Sequence, residues 1–160
     1  MNLGIITAAS GYELAQIKPW IDSLIRTGYT GKIAVMLYDQ KDEIAEYLYE
    51  KGVRVFYGEK RPLTHIATQR FQDYTWLLKD EYFADVTHVL HTDIRDVLFQ
   101  SNPVDVMSQW QNENLVATAE GICFRHEDWN GEGIEENFGK NAFMKLADEQ
   151  VLCSGIIGVK

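Results

Sequence analysis

Short apolar runs and stretches of helical period alternate from the first residue of this chain. Residues 3–7 form an apolar run closed by the small residues Ala8, Ala9, Ser10 and Gly11. Residues 12–27 then place Leu14, Ile17, Ile21, Leu24 and Ile25 on one helix face. Pro19 falls inside that pattern, where a missing N–H and a steric clash predict a kink or a restart. Gly28 and Gly31 flank the exit turn, residues 33–38 read as a buried strand, and residues 42–51 as a charged helix closed by Gly52. A third strand is predicted over 53–57, a polar loop over 58–62, a helix over 66–82 and a fourth strand over 86–91. The loop 92–99 leads to a helix over 102–110, with Asn102 as N-cap and Pro103 in the first position. A fifth strand over 115–119, an irregular stretch over 121–133, a mostly helical stretch over 134–147 and a sixth strand over 151–159 complete the pattern.

Alternating β and α units with strands too apolar to face water predict an α/β domain with a mainly parallel central sheet and helices on both faces. The 160 residues suit one such domain, without repeat or linker. The last strand is followed by no helix, cap or polar tail, so an incomplete domain is expected, since an open sheet edge invites aggregation. Ligands of these sheets bind beyond the carboxyl ends of the strands. That directs attention to the segments after Thr7, Tyr38, His91 and Ala119.

Composition narrows the function classes. There are 24 acidic and 15 basic residues, a formal net charge of −9, so general nucleic-acid binding has no electrostatic footing. A phosphate ligand is compatible only where a metal ion or a local cation reverses the field. No Gly-x-Gly-x-x-Gly turn follows the first strand and no Gly-x-x-x-x-Gly-Lys-Ser/Thr loop occurs, which disfavours dinucleotide-binding dehydrogenases and P-loop nucleotidases. Cys123 and Cys153 stand apart and read as free thiols. The amino terminus reads as a first strand and not as a signal peptide. No apolar run reaches membrane-spanning length, and the default compartment is the cytoplasm.

The segment from Thr87 to Phe99 carries the most chemistry. An apolar strand delivers Asp93 to its carboxyl end, and Asp96 follows three residues later, so two carboxylates can converge on a hard divalent cation. The same spacing also suits a solvated acidic loop in which Arg95 pairs with an acid. His91 shares the strand face of Asp93 by the two-residue period, which leaves open a His-plus-carboxylate site or a packing histidine. The loop Thr7, Ala8, Ala9, Ser10 is small enough for a flat base to lie against its backbone, or is an ordinary turn. Asp39 suits a hydrogen bond to ribose or base, or a helix cap. Arg70 suits a phosphate contact or an ion pair. Trp129, beside Asn130, offers either a platform for a sugar ring or a loop anchor.

Val-Leu-His-Thr-Asp-Ile-Arg-Asp-Val-Leu-Phe-Gln, followed by Asn102-Pro103, resembles the aspartate motif of a GT-A glycosyltransferase family. Two further segments resemble the same family. One is the helix and Gly-Tyr-x-Gly turn ending at Thr27-Gly28-Tyr29-Thr30-Gly31, and the other is the late strand Cys153-Ser154-Gly155-Ile156-Ile157-Gly158. The resemblance implies a GT-A fold, a nucleotide-diphospho-sugar donor such as a UDP-sugar, and a divalent ion (Mn2+ or Mg2+). It further implies a hexosyltransferase-like transfer to the hydroxyl of a glycan or other acceptor. By the same resemblance Asp93 and Asp96 contact metal or donor, and Thr7, Ala8, Ala9 and Ser10 line the base and ribose. Ser154 and Gly155 then lie on the donor-sugar side, and Trp129 and Asn130 on the acceptor side. Arg95 stands where the common Asp-x-Asp form has its second acid. The competing readings are a non-catalytic nucleotide- or sugar-binding module of the same fold, and a metal-dependent hydrolase using His91, Asp93 and Asp96.

Overall fold

A computed structural model describes residues 1–39 and 41–160. The elements run β1 (Leu3–Ala9), α1 (Leu14–Arg26), β2 (Lys32–Leu37), α2 (Asp42–Glu50), β3 (Arg54–Tyr57), α3 (Ile66–Leu77), β4 (His88–Thr92), α4 (Pro103–Met107), β5 (Leu115–Cys123), α5 (Asp128–Phe138), α6 (Lys140–Leu146) and β6 (Gln150–Val159). They fall into two compact units, Met1–Val116 with Gly158–Lys160, and Ala117–Ile157.

In the first unit the strand order begins β3-β2-β1-β4. Thr7 lies opposite Val35 in the parallel pair β1–β2, Ile5 opposite Leu90 in β1–β4, and Val35 opposite Val55 in β2–β3, all parallel. Alternation then sorts side chains by face. Leu3, Ile5 and Ala9 of β1 join Ile33, Val35 and Leu37 of β2 in a core with Ile17, Trp20, Ile21 and Leu24 of α1 and Ile44 and Leu48 of α2. Ile6, Ala34 and Met36 face the other way, onto Tyr74 and Leu77 of α3. Helices therefore cover both faces of this part of the sheet.

α1 runs unbroken through Pro19, against the expected kink or restart. A proline inside a helix costs about 3 kcal/mol, and the full burial of Ile17, Trp20, Ile21 and Leu24 outweighs it. Its start is fixed by a reciprocal pair in which Glu13 caps the backbone of Gln16 and Gln16 accepts from Glu13 N at 2.8 Å. Gly52 adopts φ +76 after α2, the left-handed turn expected there. Asn102 caps α4 through Val104 N at 3.1 Å, with Pro103 at its start. α3 ends at Leu77, short of the predicted 82. Asp80 accepts from Tyr82 N and opens a separate 3-10 turn, Glu81–Phe83.

The sheet is mixed, because β5 and β6 run antiparallel. Lys160 N donates to Asn114 O in the first unit, and Phe124 N donates to Glu149 O in the second. Segments expected to be irregular are ordered in the second unit: β5 continues to Cys123, and α5 opens at Asp128 with Glu127 accepting from Asn130 N at 2.6 Å. Gly139, at φ +84, separates α5 from α6. Cys123 and Cys153 are free thiols. Among the described residues no helix is long and apolar enough to cross a membrane.

Candidate functional site

The chain winds from β1 to β2 and β3 on one side and then crosses to β4 on the other, so the winding direction reverses between β1 and β4. Ligands of open α/β sheets bind at such a reversal, outside the carboxyl ends of the strands. Two loops meet there, 10–13 after β1 and 93–99 after β4. The guanidinium of Arg95 lies 5.8 Å from the ring centroid of Tyr12 and joins them.

The loop after β4 owes its shape to its apolar residues. Ile94 and Phe99 are buried in the α1 core, and Phe99 meets Trp20 edge to face at 5.8 Å. Trp20 Nε1 donates to Thr92 Oγ1 at 2.8 Å, and Phe99 N donates to Ser23 Oγ at 3.0 Å. With these anchors inside, the polar residues between them turn outward. Asp93 is half-buried, and Arg95 and Asp96 are exposed and 3.8 Å apart. Asp93 accepts a charge-assisted bond from Nη1 of Arg70, whose side chain is only 10% exposed. Arg70 therefore sits in an ion pair at the site, one of the two roles open to it in the sequence.

A second cluster forms at the ends of β1 and β2. Ser10 Oγ donates to Asp39 Oδ2 at 3.0 Å, and Lys60 Nζ is 2.7 Å from Asp39 Oδ1. Lys60, helped by Ser10 and the Gly11 N–H, holds the Asp39 carboxyl below the usual carboxylate range. Asp39 is not the helix cap that the sequence offered as one of its two roles: α2 has Lys41 at its N-cap and no capping side chain, because the Asp39 oxygens are taken up by Ser10, Gly11 and Lys60. Of the loop expected to line a base, Thr7 and Ala9 have buried side chains, and Ala8 and Ser10 are half-buried.

Lys60 reaches Asp39 from loop 58–65, which a network missed in the sequence holds in place. Asp73 of α3, 3% exposed, accepts from Tyr38 Oη at 2.6 Å, from Gln69 Nε2 at 2.9 Å and from Arg61. Gln69 also donates to Glu59 O at 2.7 Å and accepts from Arg61 N at 2.8 Å. Burial would raise the Asp73 pKa, but the bonds from Tyr38 and Gln69 and the charge of Arg61 outweigh it and lower the pKa. Burial and the bond to Asp73 push the Tyr38 hydroxyl up. A groove of about 350 Å3 lined by Lys60, Arg61, Asp73, Tyr57 and Trp76 lies beside this loop.

His91 packs between aromatic rings, with centroids 5.0 Å from Phe71 and 5.3 Å from Tyr74. Among the described residues no three His, Cys, Asp or Glu side chains gather to hold a metal ion, so His91, Asp93 and Asp96 do not form the three-residue site of the hydrolase reading. Asp93 and Asp96 nevertheless supply hard carboxylate oxygens from one solvent-facing loop. That donor set would suit a hard divalent cation such as Mn2+ or Mg2+. In the second unit Trp129 is 74% exposed on α5 and lines a groove of about 390 Å3 with Asn130, Glu132 and Phe138. Ser154 is exposed and Gly155 buried in β6.

No protein-family model and no curated protein matches this chain. Solved structures do. One is glucosyl-3-phosphoglycerate synthase from Mycobacterium tuberculosis in complex with Mn2+, uridine diphosphate and glucosyl-3-phosphoglycerate. It has a TM-score of 0.56 at 16% identity, over 99% of this chain and 56% of that one. Another is the mannosyltransferase PcManGT from Pyrobaculum calidifontis in complex with GDP-Man and Mn2+. It has a TM-score of 0.52 at 12% identity, over 99% of this chain and 44% of that one. The chain has the fold of these glycosyltransferases and spans about half the length of each.

Proposed function

We propose that this chain is the nucleotide-sugar-binding part of a metal-dependent glycosyltransferase. The observation that carries the reading is the gathering of Ser10, Asp39, Arg70, Asp93 and Asp96 at the carboxyl ends of β1, β2 and β4, where the winding of the sheet reverses. In this reading Ser10 and Asp39 receive the ribose or base of a nucleoside diphosphate, most simply UDP. Arg70 faces the diphosphate, and Asp93 and Asp96 hold Mn2+ or Mg2+. A divalent ion there supplies Lewis-acid neutralisation of charge on the departing diphosphate. The roles that the family resemblance gives to Ser154 and Gly155 (donor sugar) and to Trp129 and Asn130 (a glycan or other hydroxyl acceptor) belong to the same reading. The two solved relatives, bound to Mn2+ with UDP or GDP-Man, support the ligand class.

A thermal-shift screen of nucleoside diphosphates with and without Mn2+ tests this. UDP with Mn2+ raises the melting temperature of the wild type, and Asp93→Asn, which folds normally, loses the Mn2+-dependent part. A metal response without nucleotide preference would sink the proposal. Incubation with UDP-sugars and an acceptor panel then separates an enzyme from a binding module of the same fold, since only an enzyme consumes donor.

A further inference from the structure

Asp93 is the partner of Arg70, and Arg70 is held in place by more than that contact. Its Nε donates to Ala67 O at 3.1 Å, and its guanidinium lies 5.0 Å from the centroid of the Phe71 ring. A guanidinium keeps its proton at any pH at which a protein folds. Asp93 therefore has a permanent, largely buried positive charge against one side. Its carboxylate is 37% exposed on the other. The second carboxylate of the loop, Asp96, has Arg95 3.8 Å away. Two acids are thus matched by two arginines, and a bare divalent cation meets a locally neutral site with a like charge fixed beside its best ligand.

A diphosphate changes that balance. It carries several negative charges, and its oxygens are good acceptors for a guanidinium. We propose that Arg70 makes metal binding conditional on the nucleoside diphosphate. Without the anion, Arg70 occupies Asp93 and holds off a free divalent ion; with it, Arg70 turns to the phosphates and leaves Asp93 to the metal. The proposal rests on the function proposed above and adds a direction to it. By linkage, metal and diphosphate strengthen each other's binding by the same factor, and part of that factor comes from Arg70.

The test is the affinity of the full chain for Mn2+ alone, read from the electron paramagnetic resonance of free Mn2+, and again with UDP or GDP after subtracting Mn2+ bound by nucleotide in solution. For the wild type, Mn2+ alone binds weakly and nucleotide strengthens it by about a hundredfold. Arg70→Gln raises the affinity for Mn2+ alone by about tenfold, weakens nucleotide binding and shrinks the mutual strengthening. Arg70→Lys keeps the charge and leaves the bare-metal affinity at the wild-type value. Arg70→Met keeps the aliphatic stem on Phe71, carries the same expectation as Gln and serves if Gln does not fold, with melting curves as the check. A residue that merely braces Asp93 would give weaker Mn2+ binding on removal, and one that merely contacts phosphate would give no change without nucleotide. Either result overturns the proposal. Failure of the wild type to bind Mn2+ even with nucleotide would instead overturn the function on which it rests.

Discussion

Asp73→Asn separates the scaffold of the site from its chemistry. The side chain is 4% exposed, and its oxygens accept from Arg61 on Oδ1 and from Tyr38 and Gln69 on Oδ2. Asparagine keeps the volume but offers one acceptor oxygen and an N–H2 group. The guanidinium has only donors, and Gln69 presents its N–H2 because its oxygen already accepts from Arg61 N, so at least one donor faces another. A hydrogen bond to a buried charged group contributes about 1.5–3 kcal/mol. Arg61 is 44% exposed, so its ion pair adds little, and the loss is about 2–3 kcal/mol. In a chain of this length each kcal/mol moves the melting temperature by about 2–4 °C, so a drop of roughly 5–10 °C is expected at pH 7. The pH dependence has a definite sign. The folded pKa of Asp73 is lowered, so its contribution is present above the unfolded value of about 3.9 and disappears as pH falls through the folded value. The gap between wild type and variant should therefore close below about pH 4. Differential scanning calorimetry from pH 7 to pH 3 reads both quantities, and hydrogen exchange over 58–65 should rise in the variant. A drop below about 2 °C, or a gap unchanged by acid, would show that the network does not hold the loop.

Two further expectations come from neighbouring residues. At Gly58 an added Cβ would lie 2.6 Å from Tyr38 Cε1 and 3.0 Å from Met36 Sδ, and Tyr38 is tied down by Asp73. Gly58→Ala should therefore cost about 1–3 kcal/mol. It should cost measurably less in the Asp73→Asn background, where the ring is released; strict additivity in a double-mutant cycle of denaturation free energies would refute the coupling. The Asp39 and Lys60 side chains are 33% and 52% exposed, so Asp39→Asn should leave the melting temperature nearly unchanged while weakening UDP binding about tenfold in calorimetry. A large loss of stability with intact affinity would make Asp39 a structural residue.

How far the sequence could be read depended on whether apolar periodicity carried the information. β1, β2 and β4 and the caps at Asn102 and Gly52 were legible, because a buried strand or a helix end leaves a local mark that needs no partner. α1 was legible in extent but not in continuity, since the tertiary packing of Trp20 and Leu24 decides whether a helix survives Pro19. α3 misled in the other direction. The face it buries toward the site carries Gln69, Arg70 and Asp73 beside Tyr74 and Leu77, so a search for an apolar stripe passes over the residues that organise loop 58–65. Asp93 and Asp96 were singled out because they follow a buried strand. Lys60 was not, since nothing near residue 60 signals that its charge ends at Asp39, 21 positions earlier. What the sequence could have offered is the conflict itself: a helix with polar residues at i, i+1 and i+4 on its covered face needs partners, and Arg61 and Tyr38 are such partners.

The pairing of charges also resolves a difficulty raised by composition. A protein with net charge −9 should repel a diphosphate. Yet four acids at or beside the candidate site have resident cations: Asp39 with Lys60, Asp73 with Arg61, Asp93 with Arg70, and Asp96 with Arg95. Four acids and four bases cancel, so the whole excess of negative charge lies in the rest of the chain. α5 alone carries Asp128, Glu132, Glu135 and Glu136 without a basic residue. The carboxyl ends of β1, β2 and β4 are therefore a locally neutral window in a chain of net charge −9. An anion arriving there meets no net repulsion and finds arginine and lysine donors that can be shared, and adding a divalent ion with it makes the window attractive. The acidity seen in the sequence thus gives extended polyanions no electrostatic footing, while leaving room for a compact diphosphate.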